Sequence, residues 1–132
     1  MEKESLLRST LKVKALRYSF RVAFQGVVYL FIYHRNMRII LITGVAALFV
    51  GVLLRLKGLE MVALLLTVSL VYTAEMFNTG IEVAMDIIST QYHSKVKIIK
   101  DIAAAAVLVA SINAVFIGYI LFAKRLYNLW FK

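Results

Sequence analysis

Apolar residues fall along this chain in three long runs separated by short polar breaks, preceded by a segment that mixes apolar and basic residues. In that first segment Leu6, Val13, Leu16, Phe20, Ala23, Phe24 and Val27 keep to one side of a helix. Lys14, Arg17 and Arg21 form a basic stripe beside them. The spacing predicts an amphipathic helix lying on a membrane surface over residues 1–33. Charges run through the whole segment, and no short apolar core closes on small residues, so it is not expected to be a cleaved leader.

The first continuous run, Ile39 to Leu54, is closed by Arg38 and Arg55. At about 1.5 Å per residue it covers only about 24 Å of a hydrocarbon core about 30 Å thick. The flanking arginines can snorkel to the head groups, which predicts a span over 37–55. A tight turn, Arg55 to Glu60, leads to a second span over 61–85, apolar as far as Ala74 and polar-striped beyond it. Residues 86–100 read as a polar connector carrying Lys95, Lys97 and Lys100, and 101–123 as a third span. There Ala106, Ala110, Ala114 and Gly118 repeat every fourth residue, a spacing that lets helices approach closely. Asn113, one place from that row, is expected to find a partner inside the bundle. The tail, 124–132, holds Lys124, Arg125, Tyr127, Trp130 and Lys132, an interfacial anchor. The expected fold is therefore an all-α membrane protein, one N-terminal surface helix plus three transmembrane helices.

Composition narrows the choice. The 132 residues are 62% hydrophobic, with no cysteine, no proline and a formal net charge of +9; the mean hydropathy is +0.83. Disulfides and thiol chemistry are excluded, and two histidines cannot build a usual structural zinc site. Beside such apolar runs, the positive charge points to anionic lipid head groups and phosphate-bearing substrates rather than nucleic acid. Residues 1–38 and the connector carry eleven Lys and Arg, against five in the 55–60 turn and the tail. That asymmetry places the N-terminus and the connector in the cytoplasm.

The candidate chemistry lies in the second span. At about 100° per residue Glu75, Asn78, Glu82 and Asp86 fall within roughly 80° of one another on a helix. Carboxylates at membrane depth are costly and point to function. With Lys100 and Asp101 they offer oxygen ligands for a metal, a cation for phosphates and a base, the parts that phosphoryl transfer needs. The signatures of the common soluble kinases, a Gly-rich phosphate loop and an H-R-D catalytic loop, are absent. Carboxylate spacing alone leaves open a cation-binding or cation-transporting membrane protein.

The residues also carry a resemblance. Ala74-Glu75-x-x-Asn78-Thr79-x-Ile81-Glu82-x-x-x-Asp86, then Tyr92-His93, then Lys100-Asp101-x-Ala103-Ala104-Ala105-Ala106-Val107-Leu108, is similar to the prokaryotic diacylglycerol kinase and undecaprenol kinase family. Ser19-Phe20-x-x-Ala23-x-x-Gly26 and Arg35-Asn36-x-Arg38 fit its N-terminal pattern. The resemblance implies a homotrimer in the bacterial inner membrane with active sites shared between subunits. It also implies transfer of the γ-phosphate of ATP to a lipid hydroxyl, with Mg2+. Glu75 matches the general base and Glu82 a metal ligand. Asn78, Asp86, Gln91, Tyr92, His93, Lys100 and Asp101 match positions on the nucleotide side.

Two positions depart from the pattern. His34 stands where the family has a second metal-binding glutamate, and Gln91 stands where a glutamate is frequent. Imidazole suits magnesium poorly, so His34 directs expectation toward Mn2+ or Zn2+, or toward a pseudokinase that binds nucleotide without turnover. The run Ile102-Ala103-Ala104-Ala105-Ala106 after Asp101 resembles the undecaprenol branch more than the diacylglycerol branch.

Overall fold

A computed structural model describes residues 2–89 and 93–130, with side chains from residue 14 onward except that of Leu129. Four helices follow in order: α1 Glu2–Tyr33, α2 Arg35–Leu53, α3 Leu59–Ile88 and α4 Ser94–Trp130. The chain divides into an N-terminal unit ending at Arg35 and a second unit beginning at Asn36.

In the first unit α1 is one continuous helix, and its side chains from Lys14 to Tyr29 are all exposed. Its C-terminus closes on His34, whose backbone N–H bonds Leu30 O at 2.9 Å. The His34 ring lies 5.9 Å from that of Tyr29, which also meets Tyr33 at 4.8 Å.

In the second unit, α2, α3 and α4 are each long and apolar enough to cross a membrane. Leu66, Val52, Phe116 and Ile120 are among many large apolar side chains left exposed on them. In water such a surface would drive association; in a bilayer it contacts lipid. Helix α2 approaches α3 through Gly44 and Gly51, seven residues apart on one face. A Cβ on Gly44 would sit 2.8 Å from Val68 Cγ1, and one on Gly51 2.8 Å from Leu64 Cδ2. Only glycine permits that distance. The turn out of α2 is a Schellman closure: Leu56 N–H bonds Gly51 O at 2.9 Å and Arg55 N–H bonds Val52 O at 3.0 Å. Arg55 takes the left-handed position at φ 56°, where glycine is usual, and Leu56 turns into the small core with Leu64 and Leu121.

The most extensive pairing is α3 with α4. Two ion pairs link their opposite ends, Glu60 with Arg125 and Asp86 with Lys100. Glu60 also accepts from the Lys57 backbone N–H at 3.2 Å. Bonds from Arg125 and from that N–H hold the Glu60 carboxyl below its ordinary pKa. Glu60 precedes the apolar run that starts at Met61, so this pair belongs at head-group level.

The helices run past the limits that hydropathy suggests. α3 continues to Ile88 and α4 starts at Ser94, so the polar connector expected over 86–100 is mostly helix, while α4 extends through the tail to Trp130. Helical hydrogen bonding does not stop where apolar sequence stops, and the lysines of the connector ride on the first turns of α4. The small-residue row also winds differently from its expectation. Ala103 and Ala110 are buried and Ala114 and Gly118 half-buried, but Ala106 is exposed. A strict four-residue repeat rotates about 40° per step, so its members leave a straight contact face; spacing alternating between three and four stays on it. Asn113, expected to find a partner within the bundle, is exposed within this single chain. It lies at the flank of that contact face, three residues from Ala110.

Candidate active site

The stripe on α3 continues the face that packs against α4. Leu64, Thr67, Val71, Glu75, Asn78, Glu82 and Asp86 follow one another at spacings of three and four, so the polar residues prolong the line of the core. Burial falls steadily along it: Glu75 is 4% exposed and Asn78 8%, Glu82 is half-buried, and Asp86 is exposed. Thr79 beside them is 2% exposed.

At the buried end, Asn78 Nδ2 donates to Glu82 Oε1 at 3.3 Å. Asn78 Oδ1 is buried without a hydrogen-bond partner among the described residues. Interpolating between the two ion pairs sets Glu75 level with about Ala110 and Ser111 on α4.

At the open end, Asp86, Ser89, His93, Val96, Lys97, Lys100 and Asp101 line a cleft of about 410 Å³. Lys100 Nζ donates to Asp86 and Lys97 Nζ to Asp101 at 3.2 Å, so two lysines and two aspartates alternate around it. His93 caps α4: its Nδ1 accepts from the Lys95 N–H at 3.3 Å and its carbonyl from the Lys97 N–H at 3.1 Å. A neutral ring accepting at Nδ1 carries its proton on Nε2.

The structure thus brings together Asn78 with Glu82, and Asp86, His93, Lys100 and Asp101 with one another. Glu75 stands on the same α3 face, about 16 Å along the axis from Asp86. Gln91 and Tyr92 lie outside the described residues. His34 lies in the N-terminal unit. Sequence reading left out Lys97, a cleft residue whose spacing of four from Asp101 could have marked it as a partner.

The order of these residues along α3 and α4 coincides with a known family pattern. The family model for prokaryotic diacylglycerol kinase matches residues 21–122. The chain belongs to that family. A protein of Synechocystis sp. named diacylglycerol kinase is 43% identical over 112 residues, 84% of this chain and 64% of its own length. One of Bacillus subtilis named undecaprenol kinase is 32% identical over 92 residues, 70% of this chain and 75% of its own length. The chain therefore spans somewhat under two thirds of the Synechocystis relative. Family membership and three apolar helices make this an integral membrane protein.

Proposed function

We propose that the chain is a lipid kinase that transfers the γ-phosphate of ATP to the hydroxyl of a membrane lipid, with Glu75 as the base. The observation that carries this reading is the gradient along one helix face, from a buried carboxylate at Glu75 to an open cleft with two lysines at Asp86. A water-soluble nucleotide enters at the open end, where Lys100 exchanges Asp86 for phosphate oxygens. A lipid alcohol approaches from the apolar end. The 16 Å between the ends requires the nucleotide to extend along α3 past Glu82 before its terminal phosphate comes level with Glu75.

Magnesium, which the resemblance implies, fits the donor set here. Glu82 offers a hard carboxylate oxygen beside the phosphate path, and magnesium is commonly held by one or two carboxylates together with substrate phosphates and water. No group of three or more His, Cys, Asp or Glu able to hold a metal occurs among the described residues; the substrate's own oxygens would complete the shell. When bound, the ion would neutralise charge on the transferring phosphoryl group.

The two relatives differ in the alcohol their names give, and the higher identity lies with the diacylglycerol kinase. That outweighs the alanine run after Asp101, and we take diacylglycerol as the first substrate to test. The site faces the cytoplasm, as the Lys and Arg asymmetry suggests. The assembly is a homotrimer sharing sites between copies. Exposed Asn113, set between exposed Val109 and Phe116 on α4, supports a neighbouring copy there, because an amide facing lipid lacks a hydrogen-bond partner. The chain has no native cysteine, so Asn113→Cys gives a clean cross-linking test.

The deciding experiment offers the purified protein diacylglycerol and undecaprenol side by side with radiolabelled ATP and extracts the lipid. Label in either lipid supports the kinase. Nucleotide binding without labelled lipid turns the reading to the pseudokinase that His34 suggests. Neither binding nor labelling, with cation flux into vesicles, turns it to a cation carrier using the same stripe.

A further inference from the structure

One atom of the stripe has no role in the transfer outlined above. Asn78 is more than nine-tenths buried, and its amide nitrogen is committed to Glu82. Its Oδ1 has no hydrogen-bond partner among the described residues. Glu82 fixes which way the amide lies, because turning it over would set two acceptor oxygens against each other. A buried acceptor without a partner is uncommon in a folded chain and calls for a donor from outside it.

The chemistry of that donor is restricted. Phosphate oxygens near the reacting phosphorus are themselves acceptors, so the triphosphate cannot satisfy Oδ1. A lipid alcohol brings one O–H. Asn78 stands three residues after Glu75 and four before Glu82 on the same face, so a hydroxyl meeting its Oδ1 is also beside the base. Toward the apolar end, Thr67 and Val71 of this face line a cavity of about 250 Å³ between α2, α3 and α4, where hydrocarbon can lie. The Thr67 hydroxyl is already used on Ala63 O at 2.7 Å and does not compete for the alcohol.

We propose that Asn78 binds the acceptor lipid rather than the nucleotide: its Oδ1 accepts a hydrogen bond from the lipid hydroxyl and holds that oxygen beside Glu75. This rests on the lipid kinase reading. The hydroxyl proton is shared between Oδ1 and the Glu75 carboxylate, then passes to Glu75 as the O–H bond breaks. The hydroxyl oxygen bonds the γ-phosphorus while the bond from that phosphorus to the bridging oxygen breaks, and its electron pair leaves with ADP. In a loose transfer the nucleophile needs positioning more than early deprotonation, and positioning is what a neutral acceptor supplies.

The test measures binding of two lipid pairs to the full chain in mixed micelles with a non-hydrolysable ATP analogue present. The pairs are diacylglycerol with its 3-deoxy analogue, and undecaprenol with the same polyprenyl chain lacking the hydroxyl. The parent should prefer the alcohol in at least one pair by about tenfold. Asn78→Leu should abolish that preference while nucleotide affinity stays within about twofold. Asn78→Asp, which keeps an acceptor oxygen but cannot donate to Glu82, should retain it. A parent indifferent to the hydroxyl in both pairs overturns the proposal whether or not the variants fold. So does an Asn78→Leu protein that keeps its alcohol preference and instead loses nucleotide affinity or shifts its magnesium midpoint. Failure of the lipid kinase reading shows separately, as absence of labelled lipid from the parent.

Discussion

The two halves of α3 present one continuous face to the same partner helix and use it differently. From Leu59 to Ala74 the face is apolar: Leu64 packs in the core with Leu56 and Leu121, Val71 borders the cavity between the three helices, and the one buried hydroxyl, Thr67, bonds its own backbone. From Glu75 to Ile88 the face carries a buried carboxylate, an amide with one end unpaired, and an ion pair at the rim. The first half gains stability from packing, whereas the second buries an amide oxygen that has no partner among the described residues. An ion pair at each end of the helix pair keeps both halves in one register, so rigidity built in the first half positions chemistry in the second.

The largest effect expected from breaking this division is at Glu75. Glu75→Gln deletes a base without deleting a phosphate or metal contact, so turnover should fall about 10²- to 10⁴-fold while nucleotide binding persists. Near-parental turnover would remove Glu75 from the base role. Lys100→Met sharpens the distinction between the ends of the stripe. Losing one charge-assisted contact should raise KM for ATP by roughly 10- to 100-fold and leave KM for lipid unchanged. A rise confined to the lipid KM would reverse the assignment of the two ends.

The packing half should respond in stability instead. Gly44→Val places a Cβ 2.8 Å from Val68 Cγ1 and forces α2 off α3. Overpacking of this kind costs about 1–3 kcal/mol, read as a lower thermal midpoint in detergent. Gly118→Ala is the control. Its Cβ would meet nothing closer than Phe122 Cδ2 at 4.0 Å, so its midpoint should stay near the parent's.

How far these features could be read from sequence depended on which force set them. The three spans and the face shared by Glu75, Asn78, Glu82 and Asp86 follow from helical periodicity, and the described helices contain both. Helix ends were less legible, because hydropathy marks where lipid stops and not where hydrogen bonding stops; Asp86 and Lys100 were assigned to a connector that is largely helical. His93 was singled out through a resemblance, but its capping of α4 depends on backbone geometry that no spacing rule expressed. The orphan Oδ1 of Asn78 was invisible to sequence as well, since only placed atoms show which end of an amide is already engaged.

His34 tests whether the second half reaches beyond its own unit. If this residue contributes to the metal site, His34→Glu should lower the magnesium needed for half-maximal turnover several-fold and reduce the advantage of manganese, because an anionic oxygen replaces a neutral nitrogen. If the metal is held by Glu82, phosphate and water, His34→Ala and His34→Glu will both titrate like the parent. Three superimposed magnesium curves would exclude His34 from the metal.

The smallest expected effect belongs to the packing half's ion pair. Glu60 accepts from Arg125 at 2.7 Å and from the Lys57 N–H, and these bonds depress its pKa. A carboxyl with a lowered folded pKa adds stability that is fully present above its unfolded value and lost as pH falls through the folded one. An ordinary glutamate titrates near 4.5, so the contribution is complete at neutral pH and fades as pH falls below that value. The Glu60 and Arg125 side chains are 40% and 32% exposed and solvent screens them, so the change in midpoint should be small. Thermal midpoints in detergent, measured from pH 7 to pH 3 for the parent and Glu60→Gln, should differ slightly at the upper end and converge at the lower. A gap that stays constant or widens on acidification would mean that Glu60 acts through packing or helix capping rather than through its charge.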